Sequence, residues 1–198
     1  MATATSSIGW YDANAADFAA RSFDPGMDVD RARFLAHVSS GGAVLDAGCG
    51  AGRDALAFRQ AGYVVSAFDG SAELARIASA NTGLAVRHMT FAEMDLDAAF
   101  DGVWACATLL HLPRVDLPAA FDRIARALRP GGAFYASFKE GTDDRLANGR
   151  YFTDLTRPML CELFAGARFE VLESWRAPDE RLGQEGKWWV AAIGRRAG

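Results

Sequence analysis

Residues 44–53, Val-Leu-Asp-Ala-Gly-Cys-Gly-Ala-Gly-Arg, constrain the fold of this chain more than any other segment. An apolar run ends in an acid and is followed by glycine at three alternate positions, Gly48, Gly50 and Gly52. Such glycines leave no side chain over a strand-to-helix turn, so its backbone N–H groups face a ligand. An ordinary tight turn between a strand and a helix needs fewer glycines. The segment therefore predicts a ligand-binding turn on an α/β sheet.

Short apolar runs alternate with helical segments from residue 43 to residue 136. Runs rich in Val, Phe and Ala, bounded by Gly, Asp or Pro, predict five strands, at residues 43–45, 63–68, 84–89, 102–107 and 133–138. Residues 116–128 predict an intervening helix because apolar side chains recur there at helical spacing. This alternation predicts a parallel sheet with helices on both faces and right-handed crossovers.

Helical and polar segments flank the alternating region. Residues 11–22 and 28–39 predict two helices, joined by a turn at Asp24-Pro25-Gly26. Residues 140–152 are polar and Gly-rich, which is typical of a loop that covers a site, and residues 156–164 predict a helix.

Two further strands are predicted at residues 169–175 and 187–193, separated by the polar stretch 178–186. They are expected to form a hairpin at one edge of the sheet. With 198 residues, 51% of them hydrophobic, the chain can close one core, so a single domain is expected over residues 1–198. We divide it into an N-terminal helical part, a cofactor-binding half and a part with a loop, a helix and the hairpin: residues 1–40, 41–139 and 140–198.

Charge and composition exclude several classes of partner. The net charge is −4, from 25 acidic and 21 basic residues with no dense basic block, so nucleic acid is not expected as a substrate. No apolar run approaches the ~20 residues of a membrane span, and residues 1–10 do not resemble a signal peptide, which predicts a cytoplasmic protein without membrane contact. The three cysteines lack C-x-x-C spacing, which indicates neither disulfides nor a metal site.

The spacing of the motif discriminates between nucleotide ligands. A dinucleotide fingerprint would place its third glycine at position 53, which is Arg53, and Asp46 would repel a pyrophosphate. Asp69 ends the next predicted strand, where an adjacent parallel strand would present a carboxylate to ribose hydroxyls. Its alternative role is that of an N-terminal acid for a helix beginning at Ser71. Nicotinamide and flavin dinucleotides are therefore disfavoured.

The pattern Asp-x-Gly-x-Gly-x-Gly resembles the first motif of class I S-adenosylmethionine-dependent methyltransferases, whose cofactor carries an ammonium and a sulfonium but no phosphate. Residues 100–107 resemble the fourth motif of this family, and residues 128–132, Leu-Arg-Pro-Gly-Gly, resemble the turn before its fifth strand. The first motif is similar to that of small bacterial members, including the tellurite-resistance methyltransferase group. The resemblance implies a Rossmann-like doubly wound α/β fold: a seven-stranded sheet, mostly parallel with one antiparallel terminal strand, and helices on both faces.

The resemblance also implies a cofactor, S-adenosyl-L-methionine, with S-adenosyl-L-homocysteine as its product. The N-terminal helix resembles a lid over the methionine end, where Arg21 and Arg53 compete for the cofactor carboxylate. Thr90 stands where the family often has an Asp that meets adenine, so a hydroxyl and an apolar wall are expected there. The predicted cofactor-binding residues are Tyr11, Arg21, Asp46, Ala47, Gly48, Gly50, Arg53, Asp69, Gly70, Thr90, Phe91, Ala105 and Cys106.

The acceptor side has no decisive motif. His111 follows the fourth predicted strand and is a candidate general base, with a partly buried structural histidine as the alternative. Lys139 is likewise either a candidate general base or a structural residue. The aromatic segments 150–152 and 188–189 either line the acceptor pocket or belong to the core. The Asn/Asp-Pro-Pro-Tyr element of amino-group methylating enzymes is replaced by Ala-Cys-Ala-Thr at 105–108, which disfavours base or glutamine methylation.

These observations predict a methyltransferase, acting as a monomer or homodimer, that moves the methyl group to an O, N, S or metalloid atom of a small molecule by in-line displacement. A dedicated base is optional because the sulfonium already activates the methyl group. Two alternatives remain. One is a protein that binds S-adenosylmethionine without catalysis, and the other is a nucleotide-dependent oxidoreductase, which Asp46 and Arg53 disfavour.

Overall fold

Nine strands and seven helices make up the described part of the chain. A computed structural model describes residues 4–22, 26–180 and 185–198, with side chains from residue 7 onward. The predicted turn at Asp24-Pro25-Gly26 and the stretch 178–186 lie partly outside the described residues. The strands are β1 (Ala43–Ala47), β2 (Val64–Asp69), β3 (Arg87–His88), β4 (Phe100–Ala105), β5 (Leu128–Lys139), β6 (Asp144–Ala147), β7 (Arg150–Thr153), β8 (Phe169–Pro178) and β9 (Trp188–Arg196).

The helices begin or end at polar caps and at glycine. Ser71 and Thr156 are N-caps whose hydroxyls accept from the backbone N–H of Leu74 and Met159, at 3.1 and 3.4 Å. The helices are α1 (Ala4–Ala13), α2 (Ala15–Arg21), α3 (Asp28–Leu35), α4 (Arg53–Gln60), α5 (Ala72–Thr82), α6 (Leu117–Ala127) and α7 (Arg157–Gly166). No described helix is long and apolar enough to cross a membrane.

Seven strands form one sheet in the order β3-β2-β1-β4-β5-β9-β8, and β6 pairs with β7 in a separate hairpin. The neighbours from β3 to β5 are parallel, whereas β9 is antiparallel to both β5 and β8. The expected mostly parallel sheet with one antiparallel terminal strand and an edge hairpin is therefore confirmed. The strand order reverses between β1 and β4, which is where ligands bind in open α/β sheets.

Alternate side chains of the central strands enter two separate cores. In β4 and β5, Val103 and Phe134 face the core beneath α6 and α7. Trp104 and Tyr135, the next residue in each strand, face the core beneath α3 and α4, where their rings stack at 3.8 Å. Burial on both faces explains why these strands appear as continuous apolar runs in the sequence.

Buried polar contacts attach α3 to the sheet. Asp54 is 5% exposed and accepts hydrogen bonds from Arg31, Arg53 and the Trp104 indole, at 2.5, 2.8 and 3.0 Å. Burial alone would raise the pKa of Asp54, but the hydrogen bond and charge of Arg53 hold that pKa below its ordinary value. The Tyr135 hydroxyl donates to Asp30 at 3.0 Å.

Several predicted segments differ from the observed ones, among them the strand predicted at 84–89, which is limited to Arg87–His88. Residues 11–22 are not one helix: α1 already begins at Ala4, and a break at Asn14 separates it from α2. The helix predicted at 28–39 ends at Leu35. The polar loop at 140–152 contains the β6–β7 hairpin, whose turn places Asn148 and Gly149 at φ of 50° and 78°. Positive φ at both turn residues matches the twist of a tight hairpin.

Candidate active site

The glycine-rich turn requires glycine for conformation and for space. Gly48, Gly50 and Gly52 have φ of 74°, 56° and 88°, a region that other residues rarely adopt. A Cβ on Gly48 would lie 1.9 Å from the Thr108 hydroxyl oxygen, and one on Gly52 would lie 2.6 Å from Thr82 Cγ2. The turn therefore presents backbone at the carboxyl end of β1, as the sequence predicts.

Asp46 lies beside this turn as a buried acid. It is 3% exposed, and its Oδ2 atom has no hydrogen-bond partner among the described residues. Burial, followed by the negative charge of Asp54, raises the pKa of Asp46 well above its usual range. Ala47, the next residue of β1, is fully buried and is paired with Phe68. A buried acceptor without a partner fits a ligand that brings a cation or a hydrogen-bond donor.

Asp69 is tied to the same turn. Its Oδ2 accepts from the Gly50 N–H at 2.7 Å, and its Oδ1 accepts from the Ser71 N–H at 2.8 Å. Burial raises the pKa of Asp69 to about 6, and these two hydrogen bonds partly offset that rise. The N-cap of α5 is Ser71 rather than Asp69. Asp69 is thus placed between the turn and the start of α5, where the ribose of a nucleotide is expected.

The predicted adenine end lies next to Asp69. The Thr90 N–H and hydroxyl both donate to Glu93, at 2.9 and 2.8 Å, which closes a capping box. Phe91 is buried and packs edge-on against Phe68. Gly70 lies close to the Thr90 methyl group. Sequence reasoning missed Glu93, although Thr-Phe-Ala-Glu at 90–93 is a recognisable capping pattern.

The N-terminal helices cover this edge of the sheet. Asp12 of α1 accepts from the Ser71 hydroxyl at 2.6 Å, and Ile8 lies 3.3 Å from the Cβ position of Gly70. Phe18 of α2 lies 3.3 Å from the Cβ position of Gly50. Arg21 does not reach the turn, because it is exposed and its Nε donates to the Asp17 carbonyl of its own helix at 3.0 Å.

Arg53, the second candidate for the cofactor carboxylate, is already bound to Asp54. Arg53 Nε and Nη2 donate to Asp54 at 3.0 and 2.8 Å, and Nη2 lies 3.9 Å from the Cys106 sulfur. Ala105 is fully buried at the end of β4. Burial raises the pKa of the Cys106 thiol to about 12, so the thiol stays protonated. Cys106 therefore has no thiolate character at neutral pH.

His111 is held between α1 and the β6–β7 hairpin. Its Nδ1 lies 2.7 Å from the Tyr151 carbonyl oxygen, and its Nε2 lies 2.9 Å from the Tyr11 hydroxyl. A carbonyl only accepts, so Nδ1 carries the hydrogen and Nε2 accepts from Tyr11 when the ring is neutral. Burial is the main cause that lowers the pKa of His111 to about 4. The hydrogen bond that Nδ1 donates to the Tyr151 carbonyl opposes this shift, and the charge of Arg150 adds to it.

The hairpin contributes Arg150 to the same cluster. Its Nη1 donates to the Tyr11 hydroxyl at 3.2 Å, and its guanidinium lies 4.4 Å from the Trp10 ring centroid and 5.3 Å from that of Phe152. Lys139, by contrast, forms a buried ion pair with Asp179. The structure therefore brings segment 150–152, but not Lys139, together with His111.

Comparisons with known proteins agree with this geometry. A family model described as a methyltransferase domain matches residues 44–132, which include the glycine-rich turn and Asp69. Residues 44–132 thus carry a methyltransferase domain. A crystal structure of the Burkholderia thailandensis 1,6-didemethyltoxoflavin-N1-methyltransferase, with bound 1,6-didemethyltoxoflavin and S-adenosylhomocysteine, superposes with a TM-score of 0.82 at 28% identity, covering 98% of this chain and 89% of that one.

Curated relatives match over shorter segments. A probable S-adenosylmethionine-dependent methyltransferase of Mycolicibacterium smegmatis is 34% identical over 145 residues, 69% of this chain and 55% of the relative. A ubiquinone biosynthesis O-methyltransferase of Xylella fastidiosa is 36% identical over 105 residues, 50% of this chain and 42% of the relative. The chain thus spans about half the length, or less, of these curated relatives.

Proposed function

We propose that this chain transfers the methyl group of S-adenosylmethionine to a small-molecule acceptor. The observation that carries the proposal is the unpartnered Asp46 Oδ2 beside a glycine-rich turn whose Gly50 N–H is bound to Asp69. One carboxylate is buried and has an oxygen without a donor in the described part of the chain, and the other lies where a ribose is expected. The Burkholderia thailandensis N1-methyltransferase, which holds S-adenosylhomocysteine, supports the same ligand for this fold.

The residues present fit the cofactor. Asp46 would accept from the ammonium group, Asp69 would accept from ribose hydroxyls, and Thr90 and Phe91 would border adenine. When bound, the cofactor supplies a methyl group activated by a positive sulfonium. The protein then has to align the acceptor and exclude water, for which α1 and α2 are placed over the turn. Arg53 would not bind the cofactor carboxylate directly, because its guanidinium is held by Asp54.

His111 is proposed as a base that acts through Tyr11. A proton leaving the acceptor would bind the Tyr11 oxygen while the proton of Tyr11 moves to His111 Nε2, and the Tyr151 carbonyl would hold the Nδ1 hydrogen of the resulting imidazolium. With a pKa of about 4, His111 is a weak base. Such a base suffices where the methylated atom becomes a strong acid through its new positive charge.

The test is a comparison of ligands on the purified protein. Isothermal titration calorimetry is expected to show binding of S-adenosylmethionine and S-adenosylhomocysteine and weaker or no binding of NAD, because Asp46 repels a pyrophosphate. Equal or tighter binding of NAD would contradict the proposal. Turnover is then tested with labelled S-adenosylmethionine and a panel of small phenols, carboxylic acids, amines and thiols. Cofactor binding without turnover of any acceptor would favour the non-catalytic alternative.

A further inference from the structure

Two buried side-chain atoms lack a hydrogen-bond partner among the residues that the structure describes, and they differ in chemistry. Asp46 Oδ2 is an acceptor in the cofactor half of the site, whereas Arg150 Nε is a donor on the His111 side. Leaving a buried donor without a partner costs free energy that a ligand oxygen can recover. Arg150 Nε therefore indicates a second place where a ligand group is missing.

Arg150 also lacks a counter-ion. No carboxylate in the described ranges forms an ion pair with it, whereas Arg145 on the same hairpin pairs with Asp154 at 2.5 Å. Three aromatic rings surround its guanidinium, with centroids at 4.4 Å for Trp10, 5.3 Å for Phe152 and 5.6 Å for Tyr11. Aromatic faces attract the cation but leave its N–H donors unused. The charge and the donor are thus both available to an anionic ligand.

Building on the proposed function, we propose that Arg150 binds an oxygen anion, a carboxylate or an enolate, carried by a planar methyl acceptor. Nη1 is engaged by Tyr11, which leaves Nε and the guanidinium edge that it shares with Nη2. That edge matches the two oxygens of a carboxylate. The surrounding rings fit a flat, conjugated molecule. An acceptor bound there would lie against the Tyr11–His111 pair.

The position of Arg150 links acceptor binding to the Trp10 side chain. Because Nε is buried and the guanidinium lies 4.4 Å from the Trp10 ring centroid, we expect an acceptor to reach Nε when this ring moves, with the Tyr11–His111 contact kept. The carboxylate of the cofactor is the other possible source of an oxygen anion. Arg150 contacts the Tyr11 hydroxyl, whereas the glycine-rich turn is covered by Phe18. This arrangement favours the acceptor, and the experiment separates the two sources.

The experiment uses benzoate and benzamide, two flat probes that differ in charge. Binding of each to the full chain saturated with S-adenosylhomocysteine is measured by calorimetry. Wild-type protein is expected to bind benzoate at least about tenfold more tightly than benzamide. Arg150→Gln is expected to abolish this preference and Arg150→Lys to retain part of it. Arg157→Gln, at an exposed position on α7, serves as the matched control and is expected to keep the preference.

The measurements distinguish failure of the Arg150 proposal from failure of the proposed function. S-adenosylhomocysteine affinity is measured in every variant, and an unchanged value shows that the variant is folded and that Arg150 does not hold the cofactor carboxylate. The proposal is overturned if wild-type protein shows no preference for benzoate, if the preference survives in Arg150→Gln, or if that variant loses tenfold or more of its S-adenosylhomocysteine affinity. Failure of wild-type protein to bind S-adenosylhomocysteine would contradict the proposed function instead, and the benzoate preference can then be measured without it.

Discussion

Asp46 and Asp69 both follow apolar strand residues, yet their surroundings give them different chemistry. Asp69 accepts two backbone hydrogen bonds, which favour its ionised form, and its pKa is raised only to about 6. Burial, followed by the negative charge of Asp54, raises the pKa of Asp46 well above its usual range, and its Oδ2 atom has no partner among the described residues. In the proposed site, the ionised Asp69 would accept from ribose hydroxyls at neutral pH, whereas Asp46 would gain most from a cationic ligand.

Replacing Asp69 tests its role in cofactor binding. Asp69→Asn is expected to weaken S-adenosylhomocysteine binding at pH 8 by about 1.5–3 kcal/mol, because a charge-assisted hydrogen bond is lost. The deficit should shrink below about pH 6, since wild-type Asp69 is then protonated as well. Calorimetry at pH 8 and at pH 5 measures both differences. Asp97→Asn, at an exposed position, is the control. Wild-type affinity in Asp69→Asn at pH 8 would show that the carboxylate does not contact the ligand.

Replacing Asp54 tests how much its buried ion pairs contribute to the stability of the fold. Asp54→Ala should destabilise the fold by ~3–5 kcal/mol at pH 7, because Arg31 and Arg53 lose a buried counter-ion and the Trp104 indole loses its acceptor. The folded-state pKa of Asp54 is lowered, so its contribution is present above the unfolded-state pKa and is lost as the pH falls through the folded-state value. Urea unfolding measures the loss. Asp122→Ala, exposed on α6, should change stability little, and equal losses in both variants would refute the prediction.

The sequence predicted that the two acids lie together but not what surrounds His111, for a physical reason. Asp46 and Asp69 lie at the carboxyl ends of adjacent parallel strands, so strand order alone brings them to one edge of the sheet. The contact between Tyr11 and His111 joins positions 100 residues apart and depends on how a helix packs on a hairpin, which no local pattern records. The direction of the Arg21 side chain on a short surface helix is likewise absent from the sequence pattern.

The β6–β7 hairpin and α1 form a unit that the sequence indicated only in part. Ser7 and Tyr151 connect them through a hydrogen bond of 2.9 Å, and the Trp10 ring packs on the backbone of Gly149. Asn-Gly at 148–149 is a recognisable hairpin signal. The first residues of α1 lack an apolar stripe, because this helix is held by polar and aromatic contacts rather than by a core-facing side. Helical periodicity therefore did not reveal residues 4–10.

A substitution at Gly149 tests the contact between α1 and the β6–β7 hairpin. A Cβ there would lie 2.5 Å from Trp10 Cδ1, so Gly149→Ala should push α1 from the hairpin and speed amide exchange in residues 4–22. Gly186→Ala is the matched control, because Gly186 has φ of 76° against 78° for Gly149, and no atom of the described residues lies within 4 Å of its Cβ position. The control therefore shares the backbone strain without the clash. Hydrogen exchange followed by mass spectrometry measures the difference, and unchanged exchange in residues 4–22 of Gly149→Ala would show that α1 is held elsewhere.

At the scale of the whole molecule, seven of the described arginines form ion pairs with carboxylates. The ion pairs are Arg31–Asp28, Arg31–Asp54, Arg53–Asp54, Arg76–Glu73, Arg114–Asp144, Arg129–Asp101, Arg145–Asp154 and Arg176–Glu140. Binding of a polynucleotide needs several cations free to neutralise phosphates along one groove. With a net charge of −4 and these seven arginines paired, we expect no such groove for a polynucleotide.

Polynucleotide methylation is therefore expected to be undetectable. The full chain is incubated with labelled S-adenosylmethionine and either total RNA or single-stranded DNA, at roughly 50 and 200 mM salt, since phosphate contacts weaken steeply over that range. The acceptor found with the small-molecule panel is the positive control in the same tubes, so that inactive enzyme cannot imitate the expected result. Label in RNA or DNA at low salt that vanishes at high salt would indicate non-specific charge contacts. Label that persists at high salt would establish a polynucleotide as a substrate and contradict the small-molecule assignment, because specific contacts would then outweigh the acidic surface.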